Sequence, residues 1–195
     1  VRYELCMFYM QLDKPEKAIE VLKPAVAHRP DQFEYRMAYA SISRSLGMFG
    51  EAAEAYRALV QDFPKKKELN YYLADALTQA GEIGEAIDAL DALEERSGMN
   101  EALSMQKYRL YNQLEQPAEA FKEIEKLADK FPMEARYQLI MGDLHLEKHE
   151  MELALACYQK AHEIDPSNPY YIVSMANYHE ANGDKEAAEK EIKAA

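Results

Sequence analysis

Residues 141–166 read "MGDLHLEKHEMELALACYQKAHEIDP". Within them Ala154, Tyr158 and Ala161 fall at i, i+4 and i+7, the stripe of a buried helix face. Asp165-Pro166 ends that helix, because the residue before a proline is pushed out of helical geometry. Gly142 and His145 lie on a preceding helix, and the turn between the two falls near His149. Stepping outward by 34 residues finds the same alanine again: Ala18, Ala52, Ala86, Ala120, Ala154 and Ala188, with no insertion or deletion. A second ladder runs Pro30, Pro64, Gly98, Pro132, Pro166. A period of this length belongs to stacked helix-turn-helix units.

Let each ladder alanine be position 20 of its unit. Position 24 reads Leu22, Tyr56, Leu90, Ile124, Tyr158, Ile192, and position 27 reads Ala25, Leu59, Leu93, Leu127, Ala161, Ala195. Position 8, on the first helix, reads Cys6, Ala40, Ala74, Tyr108, Gly142, Ala176. Small residues at 8 and 20 predict a close approach of two antiparallel helices. Gly47, Gly81 and Gly183 are expected to cap first helices. Pro15 and Pro117 fit the first turn of second helices. The predicted fold is an all-α, right-handed superhelical solenoid of about six antiparallel helix pairs. It forms a single array over 1–195, with units at about 1–32, 33–66, 67–100, 101–134, 135–168 and 169–195. Val1 stands inside a repeat and Ala195 near the end of a second helix, so the chain reads as a segment excised from a longer protein.

Composition narrows the function. A hydrophobic fraction of 48% with 30% charged residues excludes disorder. The net charge of −12 argues against nucleic acid, whose binding draws on Lys and Arg. It also argues against anionic lipid and leaves neutral or basic partners. No stretch approaches the ~20 apolar residues of a membrane span. Cys6 and Cys157 lie more than four repeats apart, too far for a disulfide in a solenoid, and both are expected to pack as small hydrophobes.

These residues resemble the tetratricopeptide repeat (TPR) pattern: small residues at 8, 20 and 27, apolar ones at 7, 11 and 24, proline at 32. The resemblance covers the whole chain. Units three and four depart from it at Gly98, Lys107 and Tyr108, so the "ERSGMNE" junction is expected to end its helix on a glycine. The array is also similar to segments of larger multi-repeat proteins of bacterial cell envelopes. That likeness leans toward an envelope or periplasmic location, with the cytoplasm as the alternative.

The resemblance implies a concave groove lined by first helices, with positions 2, 5, 9, 12 and 13 facing it. Position 5 reads Tyr3, Met37, Tyr71, Met105, Leu139, Val173, and position 9 reads Met7, Ser41, Asp75, Arg109, Asp143, Asn177. The candidate peptide-binding residues are the central ones: Tyr71, Asp75, Met105, Arg109, Asn112, Leu139 and Asp143. Asp75 and Asp143 flank Arg109 along this pattern, so charge alternates; the alternative is that the three satisfy one another. Position 5 equally fits packing onto the adjoining repeat. The carboxylate clamp of chaperone-binding TPRs needs lysine at position 5 and arginine at position 6. Here position 5 carries no charge and position 6 reads Glu4, Ala38, Tyr72, Gln106, Ile140, Ser174. A partner ending in a free carboxylate is disfavoured.

No catalytic, metal or cofactor site is expected. His145 and His149 have the i, i+4 spacing of a zinc pair, with Glu147 and His162 near in sequence, but His145 falls at a packed position and His149 at a turn. The acidic pairs read as solvated helix faces. No phosphate loop or nucleophile elbow is present. The expected function is a non-catalytic scaffold holding a protein or peptide in the groove. Two alternatives stay open: an assembly module packing on its own flanking helices or a second copy, and the regulatory segment of a larger enzyme.

Overall fold

The computed structural model describes residues 1–194 in backbone and 1–193 in side chain. Among these residues there are twelve helices and no strand. The chain divides into two compact units at Met99/Asn100, next to the glycine that interrupts the proline ladder. The first unit holds α1 (Arg2–Gln11), α2 (Pro15–His28), α3 (Phe33–Ser45), α4 (Phe49–Asp62), α5 (Leu69–Ala80) and α6 (Ile83–Ser97). The second holds α7 (Glu101–Gln113), α8 (Pro117–Lys130), α9 (Ala135–Glu147), α10 (Met151–Ile164), α11 (Pro169–Ala181) and α12 (Lys185–Ala194). Each odd-numbered helix pairs with the next. Within a unit each second helix then stacks on the following first helix, α2 on α3 and α4 on α5, α8 on α9 and α10 on α11. The result is an all-α repeat solenoid.

The alanine ladder is the close contact. Ala18, Ala52, Ala86, Ala120 and Ala154 are fully buried, and Ala188 is 9% exposed. Position 24 is buried in five units and open at Ile192, on the last helix. The position-27 residue Ala195 lies outside the described residues. Cys6 is buried as expected, whereas Cys157 keeps partial exposure; both are free thiols.

The turn inside each unit repeats as strictly as the core. Asp13, Gly47, Gly81, Glu115, His149 and Gly183 all adopt left-handed φ, between 53° and 82°. The next amide closes a six-residue ring onto the first helix. Lys14 donates to the Tyr9 carbonyl, Met48 to Ser43, Glu82 to Leu77, Gln116 to Tyr111, Glu150 to His145 and Asp184 to His179, all at 2.8–3.0 Å. This is a Schellman cap, which satisfies carbonyls the helix end leaves open. Glycine adopts the geometry without strain, and three units use other residues there. Pro15 and Pro117 open their helices at the first turn, as does Pro169. α4 and α10 end before Phe63-Pro64 and Asp165-Pro166.

The irregular units have specific solutions. α6 runs to Ser97 and is capped by Gly98 at φ 80°, ψ 158°, a conformation essentially confined to glycine. Lys107, at an apolar position, is 1% exposed and pairs with Glu123 Oε1 at 3.1 Å. Glu123 also accepts from Lys126 at 2.7 Å. A charge so placed is tolerated because its counter-ion is buried with it.

Candidate functional site

The first-helix faces differ between the two units. In the first, an open cavity of about 450 Å³ lies between α1 and α3. Tyr3, Met7, Met10, Phe33, Glu34 and Met37 are among its lining residues. They come from positions 1, 2, 5, 9 and 12, nearly all of them groove positions of the repeat. Two walls are fixed by neighbours: Tyr3 stacks on Tyr35 at 5.0 Å, and Phe33 meets Phe63 edge-on at 5.0 Å.

Further along the same unit, Tyr71 is half exposed and lies edge-on to Tyr72, which stacks on Tyr56. Asp75 is held by Arg44 at 2.5 Å, a pair that joins α3 to α5. This bond raises the Arg44 guanidinium above its ordinary value. Burial raises the Tyr56 phenol, with the Arg44 charge and a hydrogen bond to Ser41 opposing it.

In the second unit Met105 is half-buried, while Arg109 and Asn112 are exposed. Leu139 is not a groove residue. It is 5% exposed and packs in a core cluster with Ala135, Ala154, Tyr158 and Met175. Here the packing alternative for position 5 holds. Asp143 is exposed as a residue, but its carboxyl is engaged: the Tyr158 hydroxyl donates to Oδ1 at 2.8 Å. Desolvation raises the Asp143 carboxyl above the usual range, and hydrogen bonds from Tyr158 and Ser174 partly offset it. Burial and the Asp143 bond together push the Tyr158 phenol well up. Arg136 reaches back to Glu101 at 2.8 Å. Tyr170 and Val173 on α11 are 71% and 57% exposed.

Of the seven central candidates, then, Tyr71, Arg109 and Asn112 present open surface, Met105 presents some, Asp75 and Asp143 are occupied by neighbours, and Leu139 is core. The cavity at α1 and α3 was outside that set. Its signal was present in the sequence, as Met7, Met10 and Met37 cluster at positions 5, 9 and 12 of the first two repeats. His145 is a half-buried side chain whose Nδ1 lies 2.6 Å from Glu150 Oε2, edge-on to Phe121. Among the described residues no three metal-ligating side chains converge, and no helix is long and apolar enough to cross a membrane.

The tetratricopeptide repeat family matches residues 9–65, 44–101 and 109–169. The chain belongs to the TPR family. A curated relative, cellulose synthase operon protein C of Pseudomonas fluorescens (strain SBW25), is 27% identical over 200 residues, which is 95% of this chain and 15% of the relative. The TPR array therefore resembles a segment of a much larger protein. Among solved structures, a TPR protein of Parabacteroides merdae ATCC 43184 superposes with a TM-score of 0.64 at 17% identity, covering 98% of this chain and 76% of that one. MamA of Desulfovibrio magneticus RS-1, residues 41 to its end, gives 0.62 at 18%, covering 82% and 90%. YrrB, described as a TPR protein with an unusual peptide-binding site, gives 0.59 at 15%, covering 90% of each chain. At these identities the likeness is one of fold. TPR arrays act generally as protein-interaction scaffolds.

Proposed function

We propose that this TPR array is a non-catalytic scaffold that holds a peptide segment or helix of a partner protein on the face lined by its first helices. The observation carrying this is the open, aromatic- and methionine-lined cavity between α1 and α3, built from groove positions of the repeat. Side chains of this kind give adaptable contact surface, and exposed aromatics often dominate binding energy. The acidity of the chain favours neutral or basic partners. The test begins with a partner that co-purifies with the chain and is identified by mass spectrometry. Tyr71→Ala with Arg109→Glu is expected to weaken that association about tenfold, a loss near 1.4 kcal/mol, without loss of helicity. Undiminished binding by this variant and by variants in the α1–α3 cavity would move the interface off this face.

A second function has its own observation. Val1, Leu5, Phe8 and Leu12 form an exposed apolar stripe along α1. The equivalent α5 residues Leu69, Leu73 and Ala76 are buried. That stripe favours an assembly role, in which α1 packs on a flanking helix of its own protein or on a second copy. Sedimentation of the isolated segment across a concentration series tests it: a monomer at every concentration argues against self-association.

A further inference from the structure

Resting on the groove reading above, we infer that the α1–α3 cavity receives one bulky apolar side chain of a partner segment, with a Lys or Arg of the same segment seated against Glu34. The floor is supplied by Met7, Met10 and Met37, whose unbranched thioethers fit apolar shapes of different outline. The aromatic walls do not adapt in this way. Tyr3 is stacked on Tyr35, and Phe33 is held between the edge contact with Phe63 and the Lys66 ammonium, 4.4 Å from its ring centre. Rigid walls over a soft floor select for size and apolarity more than for one outline. The volume, about 450 Å³, is that of pockets that take a whole small ligand, so one bulky side chain fits with room to spare.

Charge fixes the second half of the recognition. Glu34 is exposed and is the single charged residue among those lining the cavity. Two cations on the same helix are engaged elsewhere: Arg36 by Asp62 at 2.6 Å and Arg44 by Asp75 at 2.5 Å. A cation entering beside the apolar side chain meets a carboxylate, and an acidic segment meets repulsion from it and from a chain of net charge −12. The sequence-based choice of the central stretch gives way here to the first two repeats, where apolar surface is open and the carboxylate is not committed.

Fluorescence anisotropy with three short labelled peptides tests this on the whole chain. One alternates Lys with Leu and Phe; the second replaces Leu and Phe by Ser; the third replaces Lys by Glu. The first is expected to bind best. Met7→Ser with Met37→Ser should weaken it about tenfold, and Glu34→Gln about two- to fivefold, the scale of an exposed ion pair. Circular dichroism checks that the methionine variant keeps its helices, and Glu34→Gln, on the surface, tests the charge without touching the core. Equal or tighter binding of the acidic peptide overturns the inference, as does failure of all three to bind. Binding of the first peptide that is lost with Tyr71→Ala and Arg109→Glu but untouched by the cavity variants also overturns it, while leaving the groove reading standing.

Discussion

The phenol of Tyr158 crosses from α10 to the Asp143 carboxylate on α9, and it can do so because Gly142 has no side chain. A Cβ at Gly142 would lie 2.3 Å from Cε1 of the Tyr158 ring. In an ordinary helix interior Gly→Ala stabilises, by about 0.5–1 kcal/mol. Here the ring is fully buried, so it can yield only by displacing its neighbours. Gly142→Ala is expected to destabilise by about 1–3 kcal/mol, and Tyr158→Leu in the same chain to recover much of that. Denaturant unfolding of the single and double variants gives the coupling directly. A more stable Gly142→Ala would refute the close approach.

The same pair carries a pH dependence. Desolvation holds the folded Asp143 carboxyl above its ordinary value. Between the unfolded and the folded value, the folded state therefore binds more protons, and stability falls as pH rises through that window. Asp143→Asn keeps an acceptor for Tyr158 but removes the titration. Relative to this variant, the natural chain should be less stable at neutral pH than at pH near 4. Urea unfolding at both values checks the sign, and a constant difference would contradict it.

The ladder alanines predict a uniform response. Ala86→Leu and Ala154→Leu should each overpack a helix pair and cost about 1–3 kcal/mol. Thermal melts unchanged by either would show that the fully buried position 20 tolerates volume, contrary to the packing described.

The left-handed turns predict gains as well as losses. His149 and Glu115 adopt φ near 60° without being glycine. Relief of roughly 1–2 kcal/mol of backbone strain, less the 0.4–1 kcal/mol that glycine adds to unfolded-state entropy, leaves an expected gain of about 0.5–1 kcal/mol for His149→Gly. By the same balance Gly81→Ala should lose about 0.5–1 kcal/mol at the equivalent turn. Melting curves of the two variants should move in opposite directions.

The buried Lys107–Glu123 pair predicts strong non-additivity. Glu123→Leu takes the carboxylate from a lysine that is 1% exposed and should cost about 3–5 kcal/mol. Lys107→Met with Glu123→Leu should be close to the natural stability, because two apolar side chains replace two desolvated charges. Additive losses would show that the two charges are not coupled and would contradict the pairing.

Repeat length, helix pairing and the alanine contact were legible because the alanine recurs six times at a fixed spacing, so chance matches at one repeat are outvoted by the others; the caps were legible only at Gly47, Gly81 and Gly183, because Asp13, Glu115 and His149 carry no glycine to mark the turn. The site was less legible because it depends on what differs between units. Leu139 and Tyr71 share position 5, yet one is core and the other open. The Asp143–Tyr158 bond joins positions 9 and 24, a pairing that the spacing of apolar residues does not reveal. Lys107 looked like a break in the pattern, and its compensation, Glu123, sits on the partner helix where the sequence shows one more surface glutamate. The pairing of Asp75 was hidden for the same reason: its partner Arg44 belongs to the preceding repeat.

The central claim is that partners are held on the first-helix face. Site-specific photo-crosslinking in the full-length protein tests it most directly, with a benzoylphenylalanine placed singly at Met7 or Tyr71, exposed on first helices, and at Glu54 or Asp88, exposed on second helices. The account predicts adducts of one partner protein from Met7 and Tyr71 and none from Glu54 or Asp88. Adducts from Glu54 or Asp88 alone would contradict it.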